Sequence, residues 1–406
     1  MTKTDTQRPW SGLLMAAAFL VVVTLGIRQA FGLFLLPVTE ALGSGREIFS
    51  LALAFQNLLW GLSSPFAGAL ADKFGASRIA AVGTVLYSGG LIVMALFVSP
   101  NGLLMGHVMI GVGLGSAGVS IALGAVARAV APEKRSLALG LVTSIGSFGQ
   151  FAILPITQIF IDGYGWQVSL LLLSGLSASM IASCLLLARE ESERKVNSAN
   201  LAQMTARRML KKATTDSDYL YLTIGFFVCG IQVVFIATHL PTYLQDSGIS
   251  ADIASWALGL VGLFNIVGSL AAGWLGSFIS KKKLLAWLYL LRSLIILGFL
   301  VLPPSPATAL IFGSAMGLLW LGTIPLTSGL IVVFFGPAFL SMLYGVAFFS
   351  HQVGSFLGAW LGGWIYDRFG SYDMMWWIII GSGLFAFFIN LLIDESPKDK
   401  ELAHAE

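Results

Sequence analysis

The chain has 406 residues, 57% of them hydrophobic and only 11% charged, with a net charge of +3 and a mean hydropathy of +0.86. A soluble domain is about 25% charged, so no polar shell can cover this much apolar sequence and the solvent must be lipid. Cys184 and Cys229 lie in apolar runs without metal or redox spacing, and no nucleophile–base pair, metal cluster or nucleotide loop points to an enzyme, a cofactor or nucleic acid.

The polar start "MTKTDTQRPW" runs into an apolar segment with no small-residue cleavage site. A membrane span needs about 20 apolar residues, and charges and turn residues divide the chain into twelve. The first, 12–42, holds Arg28 in "TLGIRQAFGLFLLP". A guanidinium that deep costs several kcal/mol, from about 2.5 to 17, unless it is paired or faces water. The second span, 48–71, buries Gln56 and Asn57, and the third is 77–98. The fourth, 102–130, carries His107, the fifth, 136–161, Gln150, and the sixth is 165–188. The stretch 189–217 is the one long hydrophilic insertion and reads as a partly helical, basic segment on the inner leaflet. Span seven, 218–245, carries Gln232 and His239; span eight, 252–279, carries Asn265; span nine, 284–302, carries Arg292. Spans ten to twelve are 306–334, 338–366 (with His351 and Gln352) and 374–393. Barrel strands would be half as long and would alternate in polarity, so these segments specify an α-helical bundle.

An even number of spans puts both termini on one side. If that side is the cytoplasm, 19 of the 23 Lys and Arg are cytoplasmic, seven of them in 189–217. Only Arg46 and Arg368 fall outside, and only Arg28 and Arg292 lie deep within spans. Basic loops stay inside, so the expected topology is multi-pass with cytoplasmic ends.

Four span ends are related: "PFAGALADKFG", "PITQIFIDGYG", "SLAAGWLGSFIS" and "LGGWIYDRFG". Asp72 to Asp162 and Ser277 to Asp367 are each 90 residues, and Asp72 to Ser277 and Asp162 to Asp367 are each 205. The unit is therefore three spans used four times, and because three is odd, neighbouring units are inverted. Inverted repeats nested in parallel halves characterise carriers whose site lies between the halves at midplane. "GALADKFGASR" resembles the loop signature of the major facilitator superfamily, which implies that Asp72, Gly75 and Arg78 belong to an inter-helix gate. The expected fold is an all-α membrane protein of twelve helices in two six-helix halves, each built from inverted three-helix repeats. Its parts are a bundle at 1–188, a cytoplasmic linker at 189–217, and a bundle with a short tail at 218–406.

"GIRQAFGLFLLP" aligns with "GIQVVFIATHLP", which matches Arg28 with Gln232. All 20 Asp and Glu lie in loops, at helix ends or in tails, so nothing at midplane would neutralise a cation. An Arg facing a cavity presents a planar fork suited to a carboxylate; the other role open to Arg28 is to satisfy helix-end carbonyls or amide side chains. Arg292 either snorkels to the inner interface or lines the pathway. His351 is the best-placed proton site in a chain without buried acids, or else a neutral, hydrogen-bonded core residue. His239 is expected in the outer vestibule, and Asn265 midway along span eight. His107 stands where a superfamily motif in span four has an Arg.

"GIRQAFGLFLLP" and the run from His351 to Gly358 resemble bacterial members of the monocarboxylate and oxalate/formate transporter group. That resemblance implies alternating-access transport of a small organic anion by proton symport or anion exchange, with proton-coupled efflux of a toxic or drug-like solute as the alternative. Those carriers place a binding Arg in span eight, where this chain has Asn265 and Ser269. The expected binding residues are Arg28, Gln232, His351, Asn265 and His239. The expected partners are an anionic small molecule, protons and the lipid bilayer of a bacterial inner membrane; the protein is expected to be a monomer without a cofactor.

Overall fold

The computed structural model describes residues 11–130, 132–192, 203–336 and 339–398. Its regular elements are sixteen α-helices: α1 Ser11–Leu42, α2 Arg46–Phe74, α3 Ala76–Leu96, α4 Pro100–Ala117, α5 Val119–Ala129, α6 Pro132–Tyr164, α7 Trp166–Ala178 and α8 Met180–Ser192 come first. After α9 Gln203–Thr215 follow α10 Ser217–Asp246, α11 Ala251–Leu275, α12 Lys281–Val301, α13 Pro306–Leu319, α14 Thr323–Phe335, α15 Leu340–Phe369 and α16 Asp373–Leu391. Local chemistry sets the ends. Ser99 and Ser305 each accept a backbone N–H of the turn that follows, with proline directly after them. Gly75, at φ 97°, makes the turn between α2 and α3 that its place in "GALADKFGASR" predicts.

Three of the expected spans are broken rods. The fourth divides into α4 and α5 at Gly118, the sixth into α7 and α8 at Ser179, and the tenth into α13 and α14 across Trp320–Gly322. Among the described residues ten helical segments are long and apolar enough to cross a membrane, against the twelve expected. The two that fall short in apolarity, α2 and α15, still run 29 and 30 residues. These two helices pack against each other. Ser50 meets Gly363, Gly61 meets Gln352, and Phe55–Phe356 and Trp60–Phe348 ring pairs lie between.

Buried apolar side chains form two clusters. One spans Leu13 to Leu187, on α1–α8; the other runs from Met209 to Ile393 and takes in Ala30, Leu33, Ala54 and Leu154 from the first set of helices. Small residues let the sets meet closely. A Cβ on Gly32 of α1 would strike the backbone carbonyl oxygen of Ala237 on α10. The described part of the linker, α9, buries Met209 and Ala213 and exposes Arg208 and Lys211. At the same end Lys398 bonds Asp218 at 2.6 Å; burial disfavours its charge, but the carboxylate outweighs this and raises its pKa.

Candidate functional site

Arg28 sits near the middle of α1, where α1, α2 and α10 converge. Its Nη2 donates to Asn57 Oδ1 at 2.9 Å, and the guanidinium lies 4.9 Å from the centre of the Trp60 ring. Asn57 is itself oriented, since its Nδ2 donates to Leu53 O at 2.9 Å. Phe31, Gly32, Leu53, Val234, Ala237 and Thr238 complete a recess of about 10 Å³, space for a single water. Among the described residues no carboxylate lines it. Arg28 Nε and Thr238 Oγ1 are buried without hydrogen-bond partners. An orphaned donor on a cation is costly in an apolar interior; the recess as it stands admits a water, and an oxyanion reaches Arg28 only when the recess widens.

The other expected binding residues are held elsewhere. Gln232 is fully buried; its Nε2 donates to Ile379 O at 2.9 Å and its Oε1 accepts from Arg292 Nη1 at 3.4 Å. Arg292 takes neither role open to it in the sequence. It is 0% exposed, and its Nε and Nη2 donate to Leu319 O at 3.0 and 2.6 Å, with Nη2 also reaching Trp320 O. The capping of helix-end carbonyls, one of the roles open to Arg28, thus falls to Arg292. Asn265 donates to Ser147 Oγ on α6 at 3.1 Å and accepts the Leu321 N–H at 3.0 Å. His351 packs between Phe226 and Phe348, with its Nδ1 3.3 Å from Ser355 Oγ. Neither Gln232, His351, Asn265 nor His239 lines the Arg28 recess.

His239 belongs to a seal at one end of the bundle. Arg46, at the start of α2, forms a bidentate pair with Asp246 of α10 at 2.6 and 2.8 Å and lies 3.5 Å over the Tyr366 ring. Its Nη1 also donates to Tyr372 Oη at 3.1 Å. Tyr372 Oη is 3.2 Å from His239 Nδ1, and His239 Nε2 is 2.8 Å from Ala359 O. The carbonyl can only accept, so Nε2 carries the proton and Nδ1 accepts from the tyrosine. Asp367 accepts the backbone N–H groups of Arg46 and Glu47, both at 2.8 Å, which caps α2 with a negative charge. Trp360 Nε1 donates to Glu47 at 3.0 Å. One turn of α2 is thereby plugged into α10 and α15.

Of the expected gate, Gly75 makes its turn and Arg78 is exposed, while the Asp72 side chain lies outside the described residues. From sequence Asn57 is only a polar group buried at span depth; its i, i+3 spacing to Trp60 is the signal that puts both on one face of α2. Arg46 has no expected role from sequence, where its signal is its rarity: a basic residue at the end where Lys and Arg are scarce.

The Major Facilitator Superfamily profile matches residues 14–319 and 220–406. The chain is 27% identical to the uncharacterized MFS-type transporter YcxA of Bacillus subtilis, over 99% of this chain and 100% of that protein. It is 24% identical to monocarboxylate transporter 13 of Rattus norvegicus, over 93% of this chain and 87% of the other. Against monocarboxylate transporter 12 of Mus musculus it is 24% identical, over 89% and 81%. A chain so apolar, with helices long enough to cross a bilayer many times and a cation recessed where α1, α2 and α10 meet, belongs to the Major Facilitator Superfamily, as a multi-pass membrane transporter rather than an enzyme.

Proposed function

We infer that this transporter carries a small organic anion of carboxylate type by alternating access, through proton symport or anion exchange. Twelve spans form two halves, 1–188 and 218–406, each of inverted three-helix repeats, with 189–217 on the cytoplasmic side. The bias of 19 of 23 basic residues to one side and the Bacillus relative support a bacterial inner membrane with both termini inside. The carrier works as a monomer without a cofactor.

One observation carries the cargo assignment: Arg28 has a buried, unpartnered Nε beside a recess with no opposing carboxylate among the described residues. The names of the monocarboxylate transporters agree with a carboxylate. The test is uptake into proteoliposomes from a panel of organic anions and cations, with and without a pH gradient. Uptake of anions alone is expected; uptake of cations alone overturns the reading.

For coupling, we assign the proton to His351 of α15, beside Cys229 and the α10 backbone. A charged His351 adds to the positive charge of Arg28 and Arg292 and favours the loaded anion; a neutral one releases it. The His351→Gln variant keeps a donor and an acceptor but cannot titrate. It is expected to exchange anion for anion at the wild-type rate while losing accumulation driven by a pH gradient. Undiminished accumulation removes His351 from the cycle. Asp72, Gly75 and Arg78 form the inner gate in this reading, so Asp72→Asn shifts the resting conformation, read by cysteine accessibility at the two ends of the pathway.

A further inference from the structure

The break in the tenth span is held open by side chains from three other helices. The helical hydrogen-bond ladder is interrupted at Trp320–Gly322 between α13 and α14, although Trp320 and Gly322 keep right-handed helical dihedrals, in a segment apolar enough to span a bilayer. Irregular backbone at that depth persists only where protein satisfies it. Here Arg292 of α12 takes the carbonyls of Leu319 and Trp320, the negative end of the α13 dipole. Asn265 of α11 takes the Leu321 N–H and is itself braced by Ser269 Oγ at 2.9 Å. Cys229 of α10 lies 3.4 Å from both Arg292 Nη1 and Thr323 Oγ1, the first residue of α14. Arg292, Gln232 and Thr323 are all fully buried.

A second break shows what these side chains add. Gly118, between α4 and α5, precedes Thr323 by 205 residues, the spacing that separates Asp72 from Ser277. That break spans one glycine and keeps i to i−4 backbone bonds, Gly118 N donating to Leu114 O and Ala122 N to Gly118 O. At the tenth-span break the backbone bonds shorten to i−3, Trp320 N to Gly317 O and Ile324 N to Leu321 O, and the side chains take the Leu319 and Trp320 carbonyls and the Leu321 N–H. The position 205 residues before Arg292 is Tyr87, whose hydroxyl goes to Thr24 O on α1 at 3.3 Å. So the cation and the wider break occur together, in the second half only. Asn265 also reaches Ser147 on α6, which ties this joint to the first half of the chain.

We propose that Arg292 and Asn265 are positioning residues of the transport cycle, holding a joint at Trp320–Gly322 about which α14 moves against α13. Neither touches the cargo. Arg292 fixes the end of the rod that stays, and Asn265 passes the separation of α6 from α11 to the start of the rod that moves. The proposal rests on alternating access but not on the identity of the cargo, so its test uses no substrate.

The test is maleimide labelling of the full-length carrier in nanodiscs. Ser328→Cys on α14 reports on the moving rod, and Ser50→Cys, 0% exposed beneath the Arg46 seal, reports on the opposite end. The two native cysteines are buried, so the wild-type chain is the blank. Arg292→Lys keeps the charge but a single ammonium cannot span both carbonyls and Gln232. It is expected to shift the two reporters in opposite directions, each by about tenfold, at an unchanged thermal midpoint. Asn265→Ala is expected to do the same and carries the test if Arg292→Lys does not fold. Labelling within twofold of the parent at both reporters overturns the proposal. So does a rise at Ser328→Cys alone, which is local fraying of a merely structural contact. Absence of anion uptake by the wild-type carrier in the separate proteoliposome assay, with the reporters responding as expected in the variants, would overturn the cargo assignment and leave the joint standing.

Discussion

Arg28→Lys is expected to weaken binding of a small carboxylate by about 30-fold, and Arg28→Ala to abolish it, while both proteins still insert and fold. A hydrogen bond to a charged group contributes about 1.5–3 kcal/mol, and about 1.4 kcal/mol is tenfold in affinity. Lysine retains the charge but loses the fork, and so loses one of two parallel bonds. The ammonium also loses the flat contact with Trp60, which lies 4.9 Å from the guanidinium. Asn57→Ala should act in the same sense but more weakly. It frees the Nη2 now held at 2.9 Å, so the cation becomes less oriented and affinity falls by less, about fivefold for one weaker neutral bond. The measurement is a thermal-shift titration with the anion that the proteoliposome panel selects. Full transport by Arg28→Ala would refute the assignment, and so would equal losses in Arg28→Lys and Arg28→Ala, because the charge alone would then count for nothing.

The membrane class and the helix positions were legible because both rest on one-dimensional signals. Apolar length places spans and basic residues orient them. Gly75 could be read as a turn from its motif, and the 90- and 205-residue spacings come from the sequence alone. The side-chain pairings were not legible, and the reason is geometric. Gln232 aligns with Arg28, yet it bonds Arg292, because the cation of the second half has moved from the first helix of its half to the third. Alignment reports equivalent depth and face, not which neighbour reaches across. His239, expected in the outer vestibule, has its two nitrogens taken by Tyr372 and Ala359. Those partners lie 133 and 120 residues away in sequence. The breaks at Gly118 and Trp320–Gly322 were hidden for another reason. Hydropathy is blind to backbone direction, so two short rods in one apolar run look like a single span.

Two deep cations without a deep acid therefore divide the work. Arg292 has its donors committed to carbonyls and an amide and is spent on the architecture. Arg28 has one buried donor uncommitted and a recess beside it. The unpaired amides of Gln29 and Gln352 and the unpaired Oε1 of Gln150, all nearly or fully buried, add polar groups on α1, α15 and α6 that a ligand in a widened pathway can meet. Widening means separating the helices now packed at the Arg46 end, because α2 and α15 touch from Ser50–Gly363 down to Trp60–Phe348.

Asp246→Asn is expected to open that end. The Arg46–Asp246 pair joins α2 to α10 and exists only while the end is closed, so its free energy falls entirely on the closed state. Breaking a buried ion pair by removing one partner costs about 3–5 kcal/mol, and an exposed pair contributes under about 1 kcal/mol. The side chains here are 10% and 31% exposed, so solvent screening places this pair between those limits. About 2 kcal/mol is the resulting figure, or roughly 30-fold in the closed-to-open ratio. Arg46 keeps Tyr372 and the Tyr366 ring after the substitution, so the fold survives while the latch weakens. Asp367→Asn should open the end less, about fivefold, because it removes the charge at the start of α2 while an amide oxygen can still accept one N–H. Ser50→Cys lies directly beneath the seal, and a membrane-impermeant maleimide added from that side should label it up to about 30 times faster in the Asp246→Asn background, with the rate set by how often the plug withdraws. Labelling that stays at the parent rate in both variants would mean that the apolar contacts between α2 and α15 hold the end shut on their own, with the ion pair only decorating a closure that packing has already decided.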